Sequence, residues 1–129
     1  MKHLLSLLFL LLLALLLTGL PSASSMPGHP MSDLYDHAWG YWWFGTQIAA
    51  GKLPLHTDIS HGEGGSLWFI DPISALISLP LQCFLPLSCT VGLLAWIQIS
   101  LSLLSAYTLN WRIGQDYGSA ILGAMIFVI

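Results

Sequence analysis

Long apolar runs separated by one polar region make up this chain, and their lengths set the expected elements. Residues 4–20, "LLSLLFLLLLALLLTGL", follow Lys2 and carry no charge. A spanning helix needs about 17–25 such residues and a signal-peptide core about 7–15, so the run reads as a first span or signal anchor, with cleavage after "PSAS" as the alternative. Residues 21–66 are polar and punctuated by Pro21, Pro27, Pro30 and Pro54. Within them, residues 34–50, "LYDHAWGYWWFGTQIAA", predict one helix, opened by Ser32 or Asp33 as cap, with Asp36 in a capping-box-like position, and stopped by Gly51. Two further apolar runs predict spans over 73–87, entered through Asp71-Pro72 and kinked near Pro80, and over 91–109. After a polar connection, "NWRIGQDYGS", a fourth apolar run covers 120–129 at about half the length of a crossing.

The predicted helix over 34–50 sorts into faces. Asp33, Asp36, His37, Gly40 and Gln47 follow three-to-four spacing, whereas Tyr35, Trp39 and Trp42 take another side beside Trp43. Tryptophan and tyrosine favour the membrane–water boundary, where ring and polar tip each find their medium, so an interfacial helix on the outer leaflet is expected. A packed core helix with aromatic contacts is the competing reading.

Composition agrees with a membrane chain: 56% of the 129 residues are hydrophobic and 7% charged, against about 25% in a soluble domain. The fold class expected is therefore all-α, a polytopic integral membrane helical bundle read as an N-terminal fragment, with an interfacial helix in the first outer loop. Lys2 belongs inside and residues 21–66 outside. Three spans before Arg112 place that residue outside, against the positive-inside bias; a re-entrant Pro80/Pro86 segment places it inside. The three basic residues, Lys2, Lys52 and Arg112, form no stripe along the sequence, which argues against nucleic acid as a partner. Cys83 and Cys89 lack metal or disulfide spacing and read as small buried hydrophobes. Gln98, Ser100, Ser102 and Ser105 suit helix–helix packing.

Four of the six acids and four of the five histidines lie in the outer region. Asp33 and Asp36 can abstract a proton from an acceptor hydroxyl or ligate a divalent cation; capping and solvation of a helix start is the plainer use. His37 lies beside them. His56, Asp58, His61 and Glu63, in "HTDISHGEGG", can bind substrate or a metal, but their spacing matches no helical zinc motif and the flanking prolines and glycines mark a loop. Asp71 is an ionisable residue at the membrane edge, with helix capping its simpler role.

The layout resembles the N-terminal end of GT-C superfamily membrane glycosyltransferases, such as protein O-mannosyltransferases and aminoarabinose transferases. The matching residues are Ser32-Asp33-Leu34-Tyr35-Asp36 with Trp39, then Gly51-Lys52-Leu53-Pro54, Gly64-Gly65-Ser66-Leu67-Trp68 and Asp71-Pro72. The resemblance implies a many-span helical bundle in a bacterial inner membrane. It also implies a polyprenyl-phosphate sugar donor, an acceptor, and a catalytic acid in the first outer loop, where Asp33 or Asp36 takes the place. The usual Asp-Glu pair of the mannosyltransferase branch is replaced by Asp-x-x-Asp. Outside this family, the alternatives are a non-catalytic polytopic protein (a transporter piece or assembly subunit) and a small membrane-anchored module.

Overall fold

The computed structural model describes residues 1–26, 33–54, 56–57, 65–66 and 71–128. Among the described residues the fold is helical apart from one minimal ladder: α1 (Lys2–Thr18), α2 (Asp33–Ala49), β1 (His56–Thr57), β2 (Gly65–Ser66), α3 (Pro72–Gln82), α4 (Leu87–Gly114) and α5 (Tyr117–Val128). The chain divides into two compact units, Met1–Leu20 with Ala95–Ile129, and Pro21–Leu94.

Each helix boundary has a local cause. Gly19, at φ 75°, closes α1 by donating its N–H to Leu15. Gly51, at φ 69°, lets α2 end in paired reverse bonds: its own N–H reaches the Ile48 carbonyl and the Lys52 N–H reaches Gln47. This is the left-handed stop that glycine allows without steric cost. Asp71 caps α3 by accepting from the N–H groups of Ile73 and Ser74, with Pro72 at the first helical position. α3 stops at Gln82, and Pro86, which cannot continue the preceding helix, supplies the first carbonyl of α4 to Thr90.

The expected span over 73–87 is thus divided by a turn. The eleven residues of α3 reach roughly 16 Å, about half of a bilayer core. Among the described residues one helix, α4, is long and apolar enough to cross a membrane; α1, α3 and α5 are apolar but shorter. α4 also absorbs half of the expected polar connection, running to Gly114, with Asn110 inside the helix returning its amide to the Ala106 carbonyl. The break comes at Gln115, at φ 52°, after which Asp116 accepts from the Ser119 N–H at the start of α5.

In the first unit, α1 and α4 run antiparallel: His3 meets Tyr107, and Trp96 donates its indole N–H to the Leu11 carbonyl. Leu10 and Ala14, Leu103 and Ala106, and Ala120 and Ala124 form its core. The alanines let helix backbones approach, as small residues do in membrane helix pairs. The closest approach is at Gly123, where an added Cβ falls 2.5 Å from Asn110 Cγ. In the second unit, Ala38, Tyr41, Ala75, Val91 and Leu94 form the core. Cys83 is exposed at the end of α3 and Cys89 is half-buried, so the expectation of two buried cysteines is corrected. The reason for Cys83 is its place at the helix C-cap, where its thiol leans back on the Leu79 carbonyl.

Gly123→Ala is expected to destabilise the α4–α5 hairpin by about 1–3 kcal/mol, because the methyl collides with a side chain held by its own hydrogen bond. Adding Asn110→Ala removes the obstacle and recovers part of that loss. Thermal unfolding of the single and double variants in detergent measures both.

Candidate functional site

The polar groups converge where α2 packs on α3. The helices run parallel: His37 lies near Asp71, Tyr41 near Ser74, and Gly45 against Gln82. On α2 the contact positions are four apart, and on α3 Ser74, Ser78 and Gln82 repeat the same interval, so each set forms one face. Gln82 donates its amide to the Tyr41 carbonyl (3.1 Å) and to Ser78 Oγ (2.8 Å), while Ser78 donates to the Ala75 carbonyl (2.6 Å). Gly45 makes room for this, since a Cβ there falls 3.1 Å from Gln82 Oε1.

At the N-terminal end of the pair, Ser74 donates its hydroxyl to Asp71 Oδ2 and also bonds the Tyr41 hydroxyl. The Asp71 carboxyl is held below its ordinary value, chiefly by the Ser74 hydroxyl and then by the Ser74 and Ile73 N–H groups and the charge of His37. Tyr41 is buried, and burial pushes its hydroxyl up from 10.0. A carboxylate whose lone pairs are this well occupied is a weak base. Asp71 therefore serves as a helix cap and a fixed anion beside His37.

Asp36 and His37 part company, although the expected polar face grouped them. Asp36 is exposed on the first turn of α2, whereas His37 is half-buried, its ring centroid 6.3 Å from that of Tyr41. Adjacent helical residues are 100° apart around the axis, so only one of them can face α3. Gly40, assigned to the same polar face, is buried as well. Trp39 and Trp43 stack at 6.0 Å, and Trp42 stays exposed. α2 thus has both a packed side and an aromatic outer side. Towards its C-terminal end, an open groove of about 440 Å³ runs between Trp42, Thr46, Leu79 and Gln82.

Asp33 begins α2, and His56 pairs with Ser66 in the β1–β2 ladder, which ties together the ends of the segment bearing Asp58, His61 and Glu63. Those three residues, and the side chains of Asp33 and His56, lie outside the described residues. Among the described residues no three histidines, cysteines or acids converge to hold a metal ion. Tyr41, Ser74 and Gln82 were not expected at the site; the four-residue interval of Ser74, Ser78 and Gln82 is the signal that could have found α3's contact face.

A second cluster lies in the first unit. His3 accepts or donates at 2.9 Å with the Tyr107 hydroxyl and packs at 4.6 Å on Trp111 and 4.7 Å on Tyr117. Lys2 Nζ stands 5.7 Å from the Tyr117 ring centroid.

Compared with known protein families, curated proteins and solved structures, the chain matches none.

Asp71→Ala is expected to cost about 1–2 kcal/mol by removing the cap and freeing Ser74, whereas Asp71→Asn keeps most of the cap. Because folding lowers the Asp71 value, its contribution is complete above about pH 4 and disappears as pH falls through the folded-state value. Amide-exchange protection of Ile73 and Ser74, followed downward from pH 5, measures this.

Proposed function

We propose that this chain serves a membrane glycosyltransferase resembling the GT-C superfamily, transferring a sugar from a polyprenyl-phosphate donor on the extracytoplasmic side of a bacterial inner membrane. The observation that carries the reading is the exposed Asp36 carboxylate on the first turn of α2, the helix whose next residue, His37, lies near the Asp71 cap of α3. Asp36 removes the proton of the acceptor hydroxyl, with Asp33 one turn earlier as the alternative base. The freed oxygen attacks the sugar's anomeric carbon, and the bond to the lipid phosphate breaks with its electron pair leaving on phosphate. Two parallel helices presenting their N-termini at one end suit that anionic leaving group. His37, near Asp71, adds a donor there, and His56, Asp58, His61 and Glu63 serve as substrate-binding residues in this reading. A divalent cation would take carboxylate oxygens of Asp33 and Asp36 as its ligands in this reading.

The membrane arrangement in this reading is a polytopic bundle in which α1 and α4 cross and α3 does not. Lys2 and Arg112 support it: His3 packs on Trp111, so the start of α1 and the last turn of α4, with Arg112, share one end of the first unit. Both basic residues then face the cytoplasm, and the positive-inside conflict raised by three crossings disappears. The exposed Trp42 and the stacked Trp39–Trp43 pair support an interfacial position for α2 in this reading.

In the whole protein, Asp36→Asn is expected to lower sugar transfer by about 10²–10⁴-fold in vesicles, the usual contribution of a general base. Full activity in a chain carrying both Asp33→Asn and Asp36→Asn would sink the assignment. For the topology, with Cys83 and Cys89 replaced by serine, a cysteine at position 52 is expected to react with an impermeant maleimide on intact cells. Cysteines at positions 2 and 112 should react only after permeabilisation; labelling of position 112 from outside would restore three crossings.

A further inference from the structure

The Lys2–Arg112 end of the first unit has no part in the chemistry proposed above, yet it concentrates what is scarce in this chain. Two of its three basic residues, 110 positions apart in sequence, lie at the same end of the unit, because His3 packs on Trp111. Lys2 stands over the Tyr117 ring, and Arg112 is exposed in the last turn of α4 beside Trp111. Among the described residues no carboxylate pairs with either. The acid in the adjoining turn, Asp116, instead precedes α5 and accepts from the N–H and side chain of Ser119, whose N–H holds the carboxyl below the ordinary value. His3, Tyr107, Trp111 and Tyr117 wall the same end with polar-tipped rings, the side chains that settle at headgroup depth.

We propose that this end is a binding surface for the phosphate headgroup of an anionic phospholipid in the cytoplasmic leaflet. Lys2 and Arg112 supply the charge, and the Tyr107–Trp111–Tyr117 wall sets the depth. The inference rests on the membrane reading above but not on the sugar-transfer reading. An anionic bilayer phosphate is the occupant the chemistry favours, because the two cations are unpaired and sit among interfacial rings at the end of apolar helices. Each such charge enriches an anionic lipid about fivefold near the surface.

The test uses the complete chain in phosphatidylcholine vesicles containing traces of spin-labelled phosphatidylglycerol or spin-labelled phosphatidylcholine. The expected result is a motionally restricted population that selects the anionic label. Selectivity should fall about fivefold in K2Q and again in R112Q, fade as salt shortens the Debye length from about 10 Å at 0.1 M to 3 Å at 1 M, and survive K52Q. Restricted lipid without anionic selectivity, or selectivity that depends on Lys52 alone, overturns this proposal and leaves the membrane reading standing. No restricted lipid of either kind overturns the membrane reading and this proposal with it.

Discussion

The second unit depends on one carboxylate. Asp71 precedes α3, satisfies two otherwise unpaired N–H groups of that helix and holds the Ser74 hydroxyl, which in turn meets Tyr41 on α2. A helix of eleven residues has little stability alone, because its nucleation cost is spread over few hydrogen bonds. The cap and the seam with α2 are what make it persist. Gln82 repeats the arrangement at the other end, bonding the Tyr41 carbonyl across a gap that Gly45 keeps open. Between them the buried Ser78 links Gln82 to the Ala75 carbonyl, and Ala75 and Tyr41 pack in the core alongside.

This construction separates structural acids from available ones. Asp71 gives its lone pairs to the fold and is left a weak base, while Asp36, a helical position before His37, remains exposed. A site that needs a proton acceptor in contact with solvent and substrate draws on the second kind. The anchored carboxylate has a different use: it fixes a negative charge beside His37 and orients the start of α3. Both acids lie at helix starts, where negative charge is favoured, and the difference between them is hydrogen-bond occupancy.

Much of the local structure was legible in the chain. The stop at Gly51, the cap at Asp71-Pro72 and the apolar character of α1, α4 and α5 follow from rules that act over a few residues. Helix α2 was expected over 34–50 and is found at Asp33–Ala49. The span over 73–87 and the polar connection after 109 were misjudged for one reason: hydropathy measures the medium a segment prefers and does not count helical turns. An apolar stretch can contain a turn, as at Cys83–Pro86, and a polar one can stay helical, as from Asn110 to Gly114. The polar face of α2 was misread because three-to-four spacing groups residues over a wide arc, and only the partner decides which part of that arc is covered.

By itself, the sequence determined an all-helical chain, its apolar segments, its caps and its stock of acids near α2. Those are consequences of short-range sterics, hydrogen bonding and transfer free energy, which each segment carries with it. Tertiary structure alone decided that α2 and α3 run parallel, that Tyr41, Ser74 and Gln82 form their seam, and that Lys2 and His3 meet Trp111 and Tyr117. Those pairings join residues tens to more than a hundred positions apart, and side-chain shape and hydrogen-bond complementarity between whole helices select them. No local pattern encodes that choice.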